Sequence, residues 1–274
     1  MSWNWRAMRA IMRKDLKQVF QNKMVWLPMV IVPAILLVLF PGVAVVLPRL
    51  LDPAELEFED LGRLLKGLPP QFQTMLRGLS VSQQFTVLMA NFPFAPMFLI
   101  IPLMVSSILG ADSFAGEKER KTLEGLLYTP ISDTELFLAK VLIALIPAMV
   151  VNVASFVLYG LVVNLAGYHL VGRVFFPTAP WWPLVFWLGP AVSVAGLGAT
   201  VLMSSKAKTF MEAQQASGML VLPILFLMIG QLSGLFFLSV ELILLIGLSV
   251  WGIGLWLIWI GSKTFSRGEL IARI

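Results

Sequence analysis

The chain contains no cysteine, which excludes disulfides, thiolate metal ligands and cysteine nucleophiles. Its single histidine, His169, rules out an H-E-x-x-H zinc site. It leaves a Ser-His-Asp triad possible only through that one residue. His169 stands in a short polar break, the setting of a solvated side chain. No G-x-x-x-x-G-K-[ST] phosphate loop occurs, so the chain offers no ATP-hydrolysing site of that kind. Charge is also scarce: Asp, Glu, Lys and Arg make up 13% of the chain, against roughly 25% in soluble domains. Catalytic and metal-ligating constellations are therefore not expected, and neither is a nucleic-acid partner.

What fills the chain instead is apolar. Hydrophobic residues make up 58% of the 274 positions and the mean hydropathy is +0.88, as expected where lipid is the main solvent. The pattern predicts an all-α polytopic membrane protein with six transmembrane helices in a single domain, 1–274. Residues 1–23 read as a basic amphipathic helix. Trp5, Met8, Met12, Leu16, Val19 and Phe20 recur at helical spacing, and Arg6, Arg9, Arg13, Lys14 and Lys17 fill other positions. Such a helix is expected to lie in the membrane interface with its apolar face in lipid. Met24–Leu47 is free of charge and longer than a secretory signal core, so it reads as a retained first span kinked by Pro28, Pro33 and Pro41. Residues 48–90 read as short helices on the outer face, from a helix start at Asp52-Pro53 to a second apolar edge of Phe72, Met75, Leu76 and Leu79. Asn91–Ala111, Val141–Leu165 and Trp181–Met203 are the next three spans. Ala213–Ser262 holds two more around an apolar hairpin, Gln231–Val240, broken by Ser233 and Gly234. Ala191, Ala195 and Ala199 give the fourth span a small-residue face for close packing, most simply within one subunit.

Charge sets the expected orientation. Of the 20 lysines and arginines, the N-terminus, the 112–140 region, the turn at 204–212 and the C-terminus hold fifteen. The intervening segments on the other side hold five. The positive-inside rule places both chain ends in the cytoplasm, in an inner (cytoplasmic) membrane.

The most informative stretch runs from Asp112 to Glu135. It reads as a charged helix, a break at Pro130 and a new helix opened by Ser132 and Glu135, an S-x-x-E capping box. Leu123, Leu126 and Leu127 give the first helix a narrow apolar edge. The expectation is a cytoplasmic helix–turn–helix element within 112–140, suited to passing force between a soluble partner and the spans; a solvated charged loop fits the same residues equally well. Glu117-Lys-Glu-Arg-Lys-Thr-Leu-Glu-Gly-Leu-Leu-Tyr-Thr-Pro-Ile-Ser132 resembles the E-x-E-x-x-T-L-E-x-L-L-x-x-P-x-S signature of ATP-binding-cassette exporter permeases of the second type. Lys140 matches the lysine that opens the following span. The long segment after the first span looks most like the sodium-export branch.

The resemblance implies a transmembrane exporter subunit that is not itself an enzyme. A separate ABC ATPase subunit would bind ATP and magnesium, and a second copy or a sister permease would complete the pathway. It implies that Glu117, Glu119, Thr122, Leu123, Glu124, Leu127, Pro130, Ser132 and Asp133 belong to the element that docks on the ATPase. Arg6, Arg9, Arg13, Lys14 and Lys17 would belong to a connecting helix, Ser204–Glu212 to a smaller contact, and Gln231–Val240 to an outer re-entrant pair. Asn152, Ser155, Asn164, Gln231 and Glu241 are the polar residues of the spans and hence pathway candidates, against their simpler use in helix-to-helix hydrogen bonds. No charge stands at the centre of a span, which disfavours a buried-carboxylate relay. A channel or scaffold without an ATPase fits that feature equally well; an intramembrane enzyme lacks the residues it would need.

Overall fold

The computed structural model describes residues 4–46, 73, 75–122 and 131–264. Every regular element among these residues is helical. A first helix, α1 (Trp5–Gln21), precedes six that are long and apolar enough to cross a membrane. These are α2 (Lys23–Val46), α3 (Val81–Glu119), α4 (Asp133–Val171), α5 (Trp181–Lys206), α6 (Phe210–Leu232) and α7 (Val240–Lys263). The six alternate in direction. The end where α1 lies, here the basal end, also holds the C-terminal ends of α3, α5 and α7; the opposite end is the distal end.

Local chemistry explains the helix starts. The Asn4 side chain caps α1 by accepting from the Ala7 amide at 3.2 Å, and Asn22 does the same for Met24 at 3.1 Å. Ser80 and Gln83 form a reciprocal capping box before α3, and Ser132 and Glu135 form the expected one before α4. Gly172 ends α4 in the left-handed region, φ 75°, which glycine enters without a Cβ penalty.

Several boundaries differ from the sequence reading. The second span begins at Val81, not Asn91, because Thr86, Val87, Leu88 and Ala90 are buried rather than spread on an outer surface. Pro93 and Pro96 interrupt it: turns at 92–94 and at Leu99 flank the short helix Ala95–Phe98. At its other end the helix runs past Ala111 through a π-helical turn, Asp112–Gly116, to Glu119. The third span likewise reaches from Asp133 to Val171, beyond the apolar stretch on both sides. In the apolar hairpin expected at Gln231–Val240, the segment 233–239 contains no helix. The outer-face helices expected within 48–72, and the C-terminal cations Arg267 and Arg273, lie outside the described residues.

Burial sorts the helices. In their most apolar windows α3 is 78% and α5 72% buried, whereas α2, α4, α6 and α7 range from 17% to 39%. The first pair is the core, and the other four present Val30, Ile35, Val157, Phe226, Leu245 and similar side chains outward, as expected of helices solvated by lipid. The small-residue face of α5 is used inside this chain. A Cβ on Gly254 of α7 would stand 2.8 Å from the Ala195 amide nitrogen, and one on Gly198 of α5 would stand 3.1 Å from that of Ile258. Backbone contact this close needs glycine at the point of approach.

α1 does not lay its apolar face in the surroundings as expected. Met8, Ile11 and Val19 are buried against the bundle, while Trp5 and Phe20 are 55% and 73% exposed. The three buried side chains lie one helical turn or two apart, a stripe that suits one facing surface. Trp5 and Phe20 fall outside it.

Candidate functional site: a buried charge node at the basal end

At the basal end the charged residues are drawn inward. Glu117 and Lys140 are both wholly buried. They form a direct ion pair, and the Lys140 ammonium also donates to the Ser113 carbonyl at 2.6 Å. The Phe114 ring lies beneath that ammonium, its centroid 5.6 Å away. The second Glu117 oxygen accepts from Lys14 of α1 at 3.0 Å. Glu117 thus ties α1, α3 and α4 together through one carboxylate, satisfied on both oxygens by cations, which a buried charge requires.

A second pair stands one turn away. Arg120 donates to the Asp112 carboxylate at 2.9 Å and to its carbonyl at 3.3 Å. With its amide oxygen turned toward the guanidinium, Gln18 of α1 accepts from Arg120 Nε at 3.1 Å. Gly116 makes room for the clasp, since a Cβ there would meet Asp112 Oδ1 at 3.0 Å and the Arg120 nitrogens at 3.1 and 3.2 Å. The π-helical turn at Asp112–Gly116 holds Asp112 of the second pair and ends one residue before Glu117 of the first, and π turns recur at functional positions.

Asp15 is the strained member. It is 5% exposed, and Lys14 Nζ lies 3.0 Å from Oδ1, yet neither oxygen has a donor in hydrogen-bonding geometry. Burial pushes its carboxyl above the ordinary range; Lys140 opposes that, Glu117 adds to it, and Lys14 opposes it again. Burial alone would lower Lys14, but the charges of Glu117 and then Asp15 outweigh it and leave its ammonium held above the ordinary lysine value.

Two further links close the region. The α1 N-terminus is pinned where the Asn4 amide donates to Glu135 at 2.8 Å. The link between α5 and α6 is joined to the end of α3: Lys118 donates to the Ala207 carbonyl at 3.3 Å, and Glu119 accepts from the Phe210 amide at 2.8 Å. Thr122 donates to the Glu117 carbonyl at 3.3 Å, and Lys121 just before it has φ 54°.

The sequence-predicted residues therefore separate. Glu117, Lys140, Lys14, Glu119 and Thr122 come together with the Ser132–Glu135 cap and Asp133. Arg6, Arg9, Arg13 and Lys17 are on the exposed face of α1. Leu123, Glu124, Leu127 and Pro130 lie outside the described residues. Of the two readings of the stretch from Asp112, a charged helix and a solvated charged loop, the residues to Glu119 are helical, and Asp112 through Glu117 is buried, because its charges find partners on α1, α3 and α4. Sequence reading did not single out Asp15, Gln18 and Arg120. The only available signal was that Asp15 falls among the apolar positions of α1.

The polar residues of the spans serve the distal end. Asn164 clamps the loop after α4, accepting from the amides of Phe175 and Phe176 at 3.1 and 3.2 Å and donating to the Phe176 carbonyl at 2.7 Å. Asn152 donates to the Val185 carbonyl at 2.9 Å, and Ser155 is buried. Glu241 is exposed at the start of α7 and Gln231 is buried at the end of α6. Among the described residues no group of His, Cys, Asp and Glu is arranged to hold a metal ion.

A family model described as ABC-2 family transporter protein matches residues 9–250. The chain belongs to the ABC-2 transporter family. Comparisons with curated proteins and with solved structures found no match. ABC-2 permeases are membrane-spanning transport components that generally pair with an ABC ATPase subunit. The six apolar helices and the family together make this chain a multi-pass membrane protein. In this ABC-2 chain the matched stretch contains both the charge node and the distal clamp.

Proposed function

We propose that the chain is the permease subunit of an ATP-driven exporter, with both ends in the cytoplasm. The basal end then faces a separate ATPase subunit that binds ATP and magnesium. The observation that carries this reading is the Glu117 carboxylate, which joins Lys14 of α1 to Lys140 of α4. A push on α1 or on the segment after Glu119 is thereby delivered to two membrane-crossing helices. Buried ion pairs couple elements in this way because separating them is costly.

In this reading α1 is a connecting helix near the membrane interface, its exposed Arg6, Arg9, Arg13 and Lys17 available to headgroups or to the ATPase. Residues 117–133 form the main docking element, and 204–212, bonded to Lys118 and Glu119, form the smaller one. A second copy or a sister permease completes the pathway. The long segment between α2 and α3 supports placement in the sodium-export-like branch.

The test is co-purification from native membranes in mild detergent, followed by ATPase assay. A stoichiometric ABC ATPase is expected with the wild-type chain, and it is expected to be lost when residues 118–131 become a Gly/Ser linker. A chain that purifies stable and without a partner would sink the exporter reading, and ion conduction by that chain alone would replace it with a channel.

A further inference from the structure

Between α6 and α7 a cavity of about 650 Å³ runs along the membrane-crossing part of the bundle, backed by α3 and α5. Leu103, Val192, Ile224, Leu227, Phe236 and Val250 are among its lining, and every residue that lines it is apolar. It opens sideways, since the lining residues Phe226 and Ile253 are 69% and 55% exposed on helices that read as lipid-facing. The volume is that of an ordinary small-molecule site.

One helical turn further toward the distal end, the same elements enclose a second space of about 10 Å³, lined by Ala95, Trp181, Leu184, Gln231 and Ile243 among others. Ala95 precedes the groove residue Leu99, Leu184 precedes Leu188, Ile243 precedes Ile246, and Gln231 follows Leu227. Gln231 is 3% exposed, and neither its amide oxygen nor its amide nitrogen has a partner. Asn91, which lines the same space, is engaged elsewhere. Its amide already donates to the Val87 and Phe175 carbonyls and accepts from the Thr178 amide, and its carbonyl accepts from Trp181. A buried amide left open is unfavourable, and a space of this size holds about one water-sized group. Phe236, which lines the groove, lies against Gly230, where a Cβ would stand 2.4 Å from its ring. Groove and amide are thus neighbours.

We infer that this groove binds a lipid-like amphiphile taken from the bilayer, with its alkyl chain between α6 and α7 and a neutral hydroxyl or carbonyl at its head bonded to Gln231. The lining contains no charged side chain, so a neutral head is matched and an ionic one is not. The groove fills from the side because its mouth lies on a lipid-solvated surface. The inference needs a membrane-spanning chain but does not rest on coupling to an ATPase.

The test uses the whole chain in phosphatidylcholine nanodiscs and a monoacylglycerol with a diazirine on its chain. Labelled peptides are mapped by mass spectrometry, with unlabelled monoacylglycerol as competitor and a diazirine alkane of equal length as the headless control. Labelling is expected at Leu103, Ile224 and Val250, competed by excess monoacylglycerol, and about two- to tenfold above the headless control, the range one neutral hydrogen bond supplies. Val192→Trp, which fills the groove, is expected to cut it about tenfold or more. Gln231→Leu removes the amide and leaves an apolar side chain. It is expected to raise the thermal midpoint without probe and to erase the preference over the alkane. Uncompeted labelling spread over α2 and the outer face of α7 would overturn the site. A preference that survives Gln231→Leu, or a lowered midpoint in that variant, would overturn the role of the amide.

Discussion

At the basal end α1, α3 and α4 meet through Lys14, Glu117 and Lys140, full charges of which Glu117 and Lys140 are removed from solvent while Lys14 stays half-exposed. At the distal end α3, α4 and the loop before α5 meet through neutral groups. Tyr159 donates to the Ala90 carbonyl at 2.9 Å, Trp181 to the Asn91 carbonyl at 3.0 Å, and Asn91 and Asn164 clasp the loop between them. Around Trp181 the rings of Phe176, Phe98 and Tyr159 pack with centroids 4.7, 5.4 and 5.5 Å away. Such rings and amides hold one geometry with short-range, directional contacts. A buried ion pair is different in kind. Its net contribution is small while both partners are present, yet losing one partner is severe. The distal end therefore reads as a fixed clamp and the basal end as a joint whose state depends on who is paired with whom.

Breaking the joint is expected to have the largest effect. Glu117→Gln leaves Lys140 buried without its counter-charge and should destabilise the fold by about 3–5 kcal/mol, read as a drop in the thermal midpoint in detergent. Exchanging the partners, Glu117→Lys with Lys140→Glu, should recover part of the loss. A midpoint unchanged by Glu117→Gln would show that the pair carries no such weight. The matching distal change is smaller. Asn91→Leu removes the donor to Phe175 and the acceptor for the Thr178 amide, costing about 1–3 kcal/mol, and its effect should not vary with ionic strength. Gly116→Ala crowds the Arg120–Asp112 clasp and is expected to cost about 1–3 kcal/mol by overpacking, unless Arg120 swings outward. A thermal midpoint series with Arg120→Ala decides between these, because the two changes should not add.

The smallest effect is expected at Asp15. Its carboxyl is pushed up by burial, so the folded state favours the protonated form. The stability this supplies is complete below the ordinary carboxylate value and is lost as pH rises through the higher folded value. Asp15→Asn should then raise the thermal midpoint slightly at neutral pH and flatten its decline as pH rises above the ordinary carboxylate range. A steeper decline in the variant would mean that the ionised carboxylate is the favoured form.

Much of the architecture was legible in the sequence. Apolar runs too long for a soluble core mark the spans, and the Ser132–Glu135 spacing marks the start of α4, because both depend on residues close together in the chain. The ends of the spans were not legible. Asp112 to Glu119 and Asp133 to Lys140 read as solvated because they carry charge, and hydropathy cannot see that Glu117 meets a lysine 23 residues later and another 103 residues earlier. For the same reason amphipathicity alone points the apolar stripe of α1 at lipid, although Met8, Ile11 and Val19 pack on protein. Asn164 and Gln231 stood out equally as polar residues in apolar surroundings. Only their environments separate a saturated clamp from an open amide.

The sequence by itself determined that this chain has about six stretches long and apolar enough to cross a membrane, since transfer of apolar surface out of water is additive along the chain and needs no knowledge of neighbours. It also determined the family likeness between Glu117 and Ser132. Tertiary structure alone decided which charges are buried, which helices form the core and which amide is left open. Those properties follow from partners far apart in sequence, and a charge or an amide has no fixed energy until its partner is known.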